Sequence, residues 1–193
     1  LDKVKLIRIS GIYMPAIIRI IIAIVLVTAC ITSASAQNTG IGAYIGGGYI
    51  SGDSPDVSSF TTNVFVDADY FSPNIFPRLS FMFAGSFSKI VPDSRKQYYP
   101  FMKGISLKGI MQQEYTDNFF AEEGLGVAYL NDRTFNTTNV WNPGVTFSLN
   151  GGINLPDKSS RKIQLSAGAE YAFAFGGTFL RYFSLHLQVK CLL

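Results

Sequence analysis

Apolar and polar residues alternate without a break along Phe183-Ser184-Leu185-His186-Leu187-Gln188-Val189-Lys190. Successive side chains of a strand point to opposite faces. Phe183, Leu185, Leu187 and Val189 therefore share one face, and Ser184, His186, Gln188 and Lys190 the other. The pattern recurs upstream. Ile163, Leu165, Ala167, Ala169, Tyr171 and Phe173 oppose Gln164, Ser166, Gly168, Glu170, Ala172 and Ala174. Leu79, Phe81, Phe83 and Phe87 oppose Ser80, Ala84, Ser86 and Ser88. Val64, Val66, Ala68 and Tyr70 oppose Asn63, Phe65, Asp67 and Asp69, and Val145, Phe147 and Leu149 oppose Thr146, Ser148 and Asn150. With turn-rich breaks between them, such stretches predict eight strands, near residues 40–51, 60–71, 78–90, 101–115, 119–130, 144–153, 162–175 and 179–191. Each is long enough to cross a bilayer when tilted, which takes about 9–11 residues. The first contains Gly46-Gly47-Gly48 and has no clear register; these glycines predict a bend or a close backbone approach.

Alternation alone does not say which face is inside. A soluble barrel turns its apolar face inward, and a membrane barrel turns it to lipid. Here the polar faces are built from Gly, Ser, Ala, Thr and Asn, with scattered charges such as Lys108, Glu122 and Glu170. A water-facing surface carries more Lys and Glu, whereas small polar residues suit the narrow, side-chain-filled interior of an eight-stranded barrel. The expectation is an all-β, eight-stranded antiparallel up-and-down transmembrane barrel, apolar outside and polar inside. Aromatics near the strand ends agree with interfacial girdles: Tyr70, Phe71 and Phe76; Tyr115, Phe119 and Phe120; Tyr98, Tyr99 and Phe101; Trp141; and Phe175, Phe179 and Tyr182. Ser72 to Pro77, Thr116-Asp117-Asn118 and Asn154 to Arg161 are expected as turns on the periplasmic side, and 52–59, 91–100, 131–143 and Gly176-Gly177-Thr178 as outer loops.

The N-terminal region changes the picture of where such a barrel goes. Ile17 to Ile31 is almost wholly apolar, follows basic residues, and leads into Ala34-Ser35-Ala36-Gln37, a small-residue cleavage site. That combination describes a secretory signal peptide, so 1–36 is expected as signal and 37–193 as barrel domain, with Met14 a candidate start. Val27-Thr28-Ala29-Cys30 is a competing lipoprotein-like cut that would lipidate Cys30. Residues 1–36 hold four of the 16 basic residues and one of the 13 acids, so the rest is balanced in charge. No basic field remains to attract nucleic acid. Cys191 is the only cysteine beyond the signal, which leaves no intramolecular disulfide.

With the signal, eight strands and Asp117-Asn118-Phe119-Phe120-Ala121-Glu122-Glu123-Gly124-Leu125-Gly126-Val127-Ala128-Tyr129, a tight turn entering a Gly-alternating strand, residues 38–193 resemble the small outer-membrane β-barrel family typified by OmpX and the membrane domain of OmpA. The resemblance implies a bacterial outer-membrane location reached by a cleaved signal. It also implies outer-membrane lipid and the barrel-assembly machinery as partners, a non-enzymatic role in envelope integrity, or surface interaction with an extracellular partner. A small pore is an alternative. Such barrels end in an aromatic residue, whereas this chain reads Cys191-Leu192-Leu193.

One constellation has the residue types for catalysis: Ser184 and His186 on one polar face, with Glu170 on that of the hairpin partner. A serine hydrolase needs a base beside its nucleophile and a third group to orient the base. Outer-membrane lipid A deacylases are small barrels using Ser, His and an acid, and Glu123-Gly124-Leu125-Gly126-Val127 resembles part of them. Their His-x-Ser-Asn order is replaced here by Ser184-Leu185-His186. The competing reading is a lumenal hydrogen-bond network. No Cys/His metal spacing and no phosphate-cradling glycine loop occurs, so neither metal nor cofactor is expected. Asp67 and Asp69 are read as partners for Lys108, Arg78 or Lys190, with cation binding at a rim as the alternative.

Overall fold

The computed structural model describes residues 39–68, 74–90, 98–116, 118–155 and 163–192. The segment 1–36 read as a signal, with Met14 and Cys30, and Asp69, Tyr70 and Phe71 lie outside these described residues. Eight strands form: β1 (Gly40–Ser51), β2 (Val57–Asp67), β3 (Ile75–Ser86), β4 (Phe101–Glu114), β5 (Phe119–Arg133), β6 (Val140–Leu155), β7 (Ile163–Ala174) and β8 (Arg181–Leu192). Each pairs antiparallel with its sequence neighbour, and β8 pairs with β1 from Gly40↔Leu192 to Ser51↔Arg181, closing the sheet into a barrel. Strands of 11 to 16 residues, rising about 3.3 Å per residue and tilted by roughly 45°, cover about 25 Å or more along the axis. The ends of β2 and β3, β4 and β5, and β6 and β7 that are linked in sequence lie at one end of the barrel, called the turn side below; those of β1 and β2, β3 and β4, β5 and β6, and β7 and β8 lie at the other, the loop side.

The alternation sets which residues face out. In β8, Leu185, Leu187 and Val189 are exposed, while Ser184, His186, Gln188 and Lys190 are buried. Val64 and Val66 face out and Asn63, Phe65 and Asp67 in, as the sequence pattern requires. The register of β1 is now fixed: Gly42, Tyr44, Gly46 and Gly48 share the inward set with Ile50, and Ile41 and Ile45 face out. A side chain at Gly46 would overlap the Leu185 carbonyl and the His186 backbone, and one at Gly48 the Phe183 carbonyl. These glycines therefore mark a close approach of β1 to β8.

Several boundaries move. β2 starts at Val57, because Ser58 and Ser59 continue the ladder opposite Tyr49 and Gly48. β3 ends at Ser86; Phe87 and Ser88 enter a 3-10 turn (Phe87–Lys89), with Ser86 Oγ accepting from Ser88 N at 3.3 Å. Ile75 to Pro77, expected as turn, already pair with Met111 to Gly109. β5 and β6 extend towards the loop side until only 134–139 separates them. Pro143 is tolerated inside β6 near its start, where a missing donor costs least, and its carbonyl accepts from Phe175 N at 2.7 Å. Asn154 and Leu155, also expected as turn, finish β6 opposite Gln164 and Ile163.

The aromatic assignment divides. Tyr115, Phe119, Trp141, Phe175 and Phe179 are exposed near the strand ends, and Trp141 stacks on Tyr129 with centroids 5.1 Å apart. Phe120 and Tyr182 are instead buried in the lumen, and Phe76 shares the inward set of Arg78. Proximity to a strand end placed them in the girdle, but one-residue parity governs their direction.

The register yields a direct test. Leu187 is 67% exposed and its neighbour Gln188 3%. Leu187→Arg places a charge on the apolar wall midway along β8, at a cost of about 2–4 kcal/mol in a bilayer. Gln188→Arg places it within reach of Glu122. The folded fraction in liposomes should fall much further for Leu187→Arg; equal losses would mean the faces are wrongly assigned.

Candidate functional site

Inward positions of the strands sort the lumen into levels. At the turn side lie Asp67, Arg78, Glu122 and Lys190, each 2% exposed or less. Arg78 donates from Nε and Nη2 to the two Asp67 carboxylate oxygens at 2.6 and 2.8 Å, a bidentate pair. The same Nη2 donates to Glu122 Oε2 at 3.1 Å. Lys190 Nζ donates to Glu122 Oε1 at 2.5 Å and to Gln112 Oε1 at 3.2 Å, and stands 3.6 Å from Asp67 Oδ2. Gln188 Nε2 donates to Glu122 Oε2 at 3.3 Å. The Arg78 guanidinium lies 4.0 Å from the Phe65 ring centroid, and Lys190 Nζ 5.0 Å from that of Phe76. Two cations thus meet two anions. Matching is required because an uncompensated charge removed from water costs far more than a paired one.

Midway along the lumen a second pair forms. Lys108 Nζ stands 3.1 Å from Glu170 Oε2. Tyr44 donates its hydroxyl to that oxygen at 3.0 Å, and Thr146 donates to Oε1 at 3.0 Å. The Tyr44 and Tyr182 hydroxyls are 2.7 Å apart, and the Tyr44 ring stacks on His186 with centroids 3.9 Å apart. Towards the loop side the lumen turns apolar. Ile50, Met82, Ala84, Met102, Ala128, Leu130, Ala172, Ala174, Leu180 and Tyr182 form one buried cluster. The expectation of a polar interior thus holds for the turn-side and middle levels; towards the loop side this apolar layer interrupts it, with Ser59, Ser86, Asp132 and Asn142 buried nearer the rim.

The three residues singled out for catalysis all face the lumen and are buried. Ser184 and Glu170 are Cα partners across β7 and β8. Their side chains nevertheless bond elsewhere: the Ser184 hydroxyl lies 2.6 Å from Thr61 Oγ1, and His186 Nε2 2.9 Å from Asn150 Oδ1. Glu170 is taken by Lys108, Tyr44 and Thr146. No hydrogen bond links the three side chains to one another, so the nucleophile–base–orienter chain is not assembled. Of the partners read for Asp67, the structure gives it Arg78 and Lys190, while Lys108 goes to Glu170.

Sequence reading missed the Glu122–Lys190 contact and the Tyr44–Tyr182–Glu170 chain. The signal was present for Glu122, Glu170 and Lys190, which sit at inward positions by simple alternation from neighbours already assigned; Tyr44 lies on β1, whose register the alternation left open. Tyr182 follows from parity with Ser184, but its position beside a loop suggested an interfacial ring.

No protein-family model matches this chain, and no curated protein matches it by sequence. Solved structures do match. Neisserial surface protein A is 9% identical, with a TM-score of 0.54 over 79% of this chain and 95% of that one. Ail, the attachment invasion locus protein of Yersinia pestis, is 9% identical with a TM-score of 0.46, over 81% of this chain and 98% of that one. The N-terminal β-barrel domain of Pseudomonas aeruginosa OprF is 11% identical with a TM-score of 0.45, over 81% and 98%. The likeness to Neisserial surface protein A shows the fold: an eight-stranded antiparallel barrel closed on itself.

The turn-side cluster predicts a charge-matching effect on stability. Glu122→Leu leaves Lys190 without its closest anion and should cost about 3–5 kcal/mol in urea unfolding from lipid vesicles. Adding Lys190→Met to Glu122→Leu should recover part of that loss. Strictly additive losses would show that the pair is not coupled.

Proposed function

We propose that this protein spans a bacterial outer membrane as a closed, non-enzymatic barrel that supports envelope integrity and presents its loop side for surface interaction. The observation that carries the reading is the inverted distribution of residues. Ile45, Leu125, Val127, Leu187 and other large apolar side chains are exposed around the wall, whereas Arg78, Lys108, Glu122, Glu170 and Lys190 are buried inside. In water, so extended an apolar surface would drive association. In a bilayer it is the lipid-facing band, and the closed sheet leaves no unpaired edge in hydrocarbon.

The filled lumen favours a closed barrel over a pore, since ion pairs occupy its turn-side half and the apolar cluster its loop-side half. The loop side has its own ties. Thr138 Oγ1 donates to Asp53 Oδ2 at 2.5 Å, Ser54 N to Thr134 Oγ1 at 3.4 Å, and Tyr98 Oη to the Arg133 carbonyl at 2.6 Å. These bonds join segment 52–56 to segment 134–139, and Tyr98 to the end of β5, giving a connected rim suited to contact with a partner.

The expected behaviour is recovery with outer membranes and a heat-modifiable mobility on gels, the unheated barrel migrating apart from the boiled chain. Recovery of mature protein from the periplasm without detergent would defeat the membrane reading. Planar bilayers containing the refolded protein should show no stepwise conductance. Membrane lipids from cells with and without the gene should carry the same number of acyl chains; loss of one chain only when the gene is present would instead favour a hydrolase using Ser184 and His186.

A further inference from the structure

The outer wall is uneven in charge. Among the described strand residues, its outward-facing cations are Lys103, Arg133 and Arg181, at the loop-side ends of β4, β5 and β8. Its outward-facing acid is Glu123, near the turn-side end of β5 between Met111 and Leu149. Lys103 and Arg133 sit on adjacent strands within one aromatic patch. Lys103 pairs across the ladder with Phe83 on one side and Asn131 on the other, and Arg133 pairs with Phe101. Lys103 Nζ lies 5.9 Å from the Trp141 ring, and Arg133 Cζ 5.7 Å from the Phe101 ring. Lys89, from the 3-10 turn, brings its Nζ to 6.0 Å from the Phe83 ring. Phe83 stacks on Phe101 and Tyr129 on Trp141, so two stacked pairs of rings lie beside the three cations.

None of the ion pairs among the described residues involves these three cations; all of them lie inside the lumen. The Arg133 Nε, moreover, is shielded from solvent without a hydrogen-bond acceptor. Rings of this kind settle at the headgroup level of a bilayer, and the cations there are held in a low-dielectric surround that strengthens their pull on an anion. Aromatic faces pack against the apolar faces of sugar rings, and Lys and Arg bind phosphate through charge-assisted hydrogen bonds.

We propose that the Lys89, Lys103 and Arg133 patch on β3–β5 docks the phosphorylated sugar headgroup of a lipid in the leaflet at the loop side. The proposal rests on the membrane reading above and adds to it a specific anionic lipid site on one sector of the wall. Arg181 lies on β8, away from the patch, and serves as an internal control for charge at the same rim.

Trp141 is the chain's single tryptophan, so its emission reports on the patch itself. The test uses the protein refolded into phosphatidylcholine vesicles, its folded fraction read from heat-modifiable mobility. It is titrated with diphosphorylated lipid A and, separately, with the dephosphorylated form. The expected result is a saturable change in Trp141 emission with the phosphorylated lipid alone, weakened by salt. Lys103→Gln/Arg133→Gln should lower the affinity about 25-fold, roughly fivefold for each charge removed, with the folded fraction unchanged. Arg181→Gln should bind as the parent does. Equal binding of the dephosphorylated lipid, an unaffected double variant, or an equal loss in Arg181→Gln would overturn the site while leaving the membrane reading intact. Failure of the parent protein to insert into vesicles would overturn both.

Discussion

Closure of the sheet at the β1–β8 seam is the constraint on which the rest of this molecule depends. An open eight-stranded sheet leaves two edges of unpaired backbone N–H and C=O groups, and in hydrocarbon each such group costs several kcal/mol. The seam removes both edges by pairing residues from opposite ends of the described chain, from Gly40↔Leu192 through Ser51↔Arg181. Gly46 and Gly48 belong to that seam, because the Leu185 and Phe183 carbonyls occupy the space a Cβ would need. The pairing is also the most non-local in the fold, so it falls late in any route that forms neighbouring hairpins first.

Closure then dictates the chemistry inside. An eight-stranded barrel is just wide enough for its inward side chains to fill, and a wall surrounded by lipid leaves polar groups no partners except one another. Charges appear in the lumen in matched sets, Asp67 and Glu122 with Arg78 and Lys190, then Glu170 with Lys108. Replacing such sets with apolar residues is often neutral or stabilising, so their presence is poorly explained as a source of stability. They do specify register. A one-residue slip of β8 would move Lys190 to the outer wall and leave Arg78 alone to balance Asp67 and Glu122.

The strand pattern carried most of the fold. Alternation in β2, β7 and β8 was regular enough to assign the faces of their described residues, because two opposed environments punish each misplaced residue. Boundaries were harder, since Ser58, Ser59 and Pro143 have turn chemistry yet lie inside ladders, where neighbouring pairs outweigh local preference. Parity was also less persuasive than position for Phe120 and Tyr182, and those aromatics went inward. The Ser184, His186 and Glu170 trio shows a different limit. Sequence places Ser184, His186 and Glu170 on one lumenal surface, but it does not reveal the competing partners from distant strands. Thr61, Asn150 and Tyr44 bond or stack on them and come from β2, β6 and β1.

The two surfaces of the wall vary together along the axis. At the turn side the lumen is ionic and the outer face carries Glu123; towards the loop side the lumen holds the apolar cluster and the outer face carries cations set among rings. From the turn side the lumen opens on ion-paired groups, and from the loop side on Asp132 and Asn142 with the apolar cluster beneath them. This arrangement keeps the ion pairs away from the face that carries the outer loops, and it lets the loop-side wall be specialised for its surroundings without disturbing the network that holds the register. Substitutions at Lys103 or Arg133 touch no lumenal partner, and those at Glu122 or Lys190 touch no outward ring of the loop side. The division between a structural interior and an adaptable rim follows from strand parity, because adjacent residues of one strand serve opposite faces.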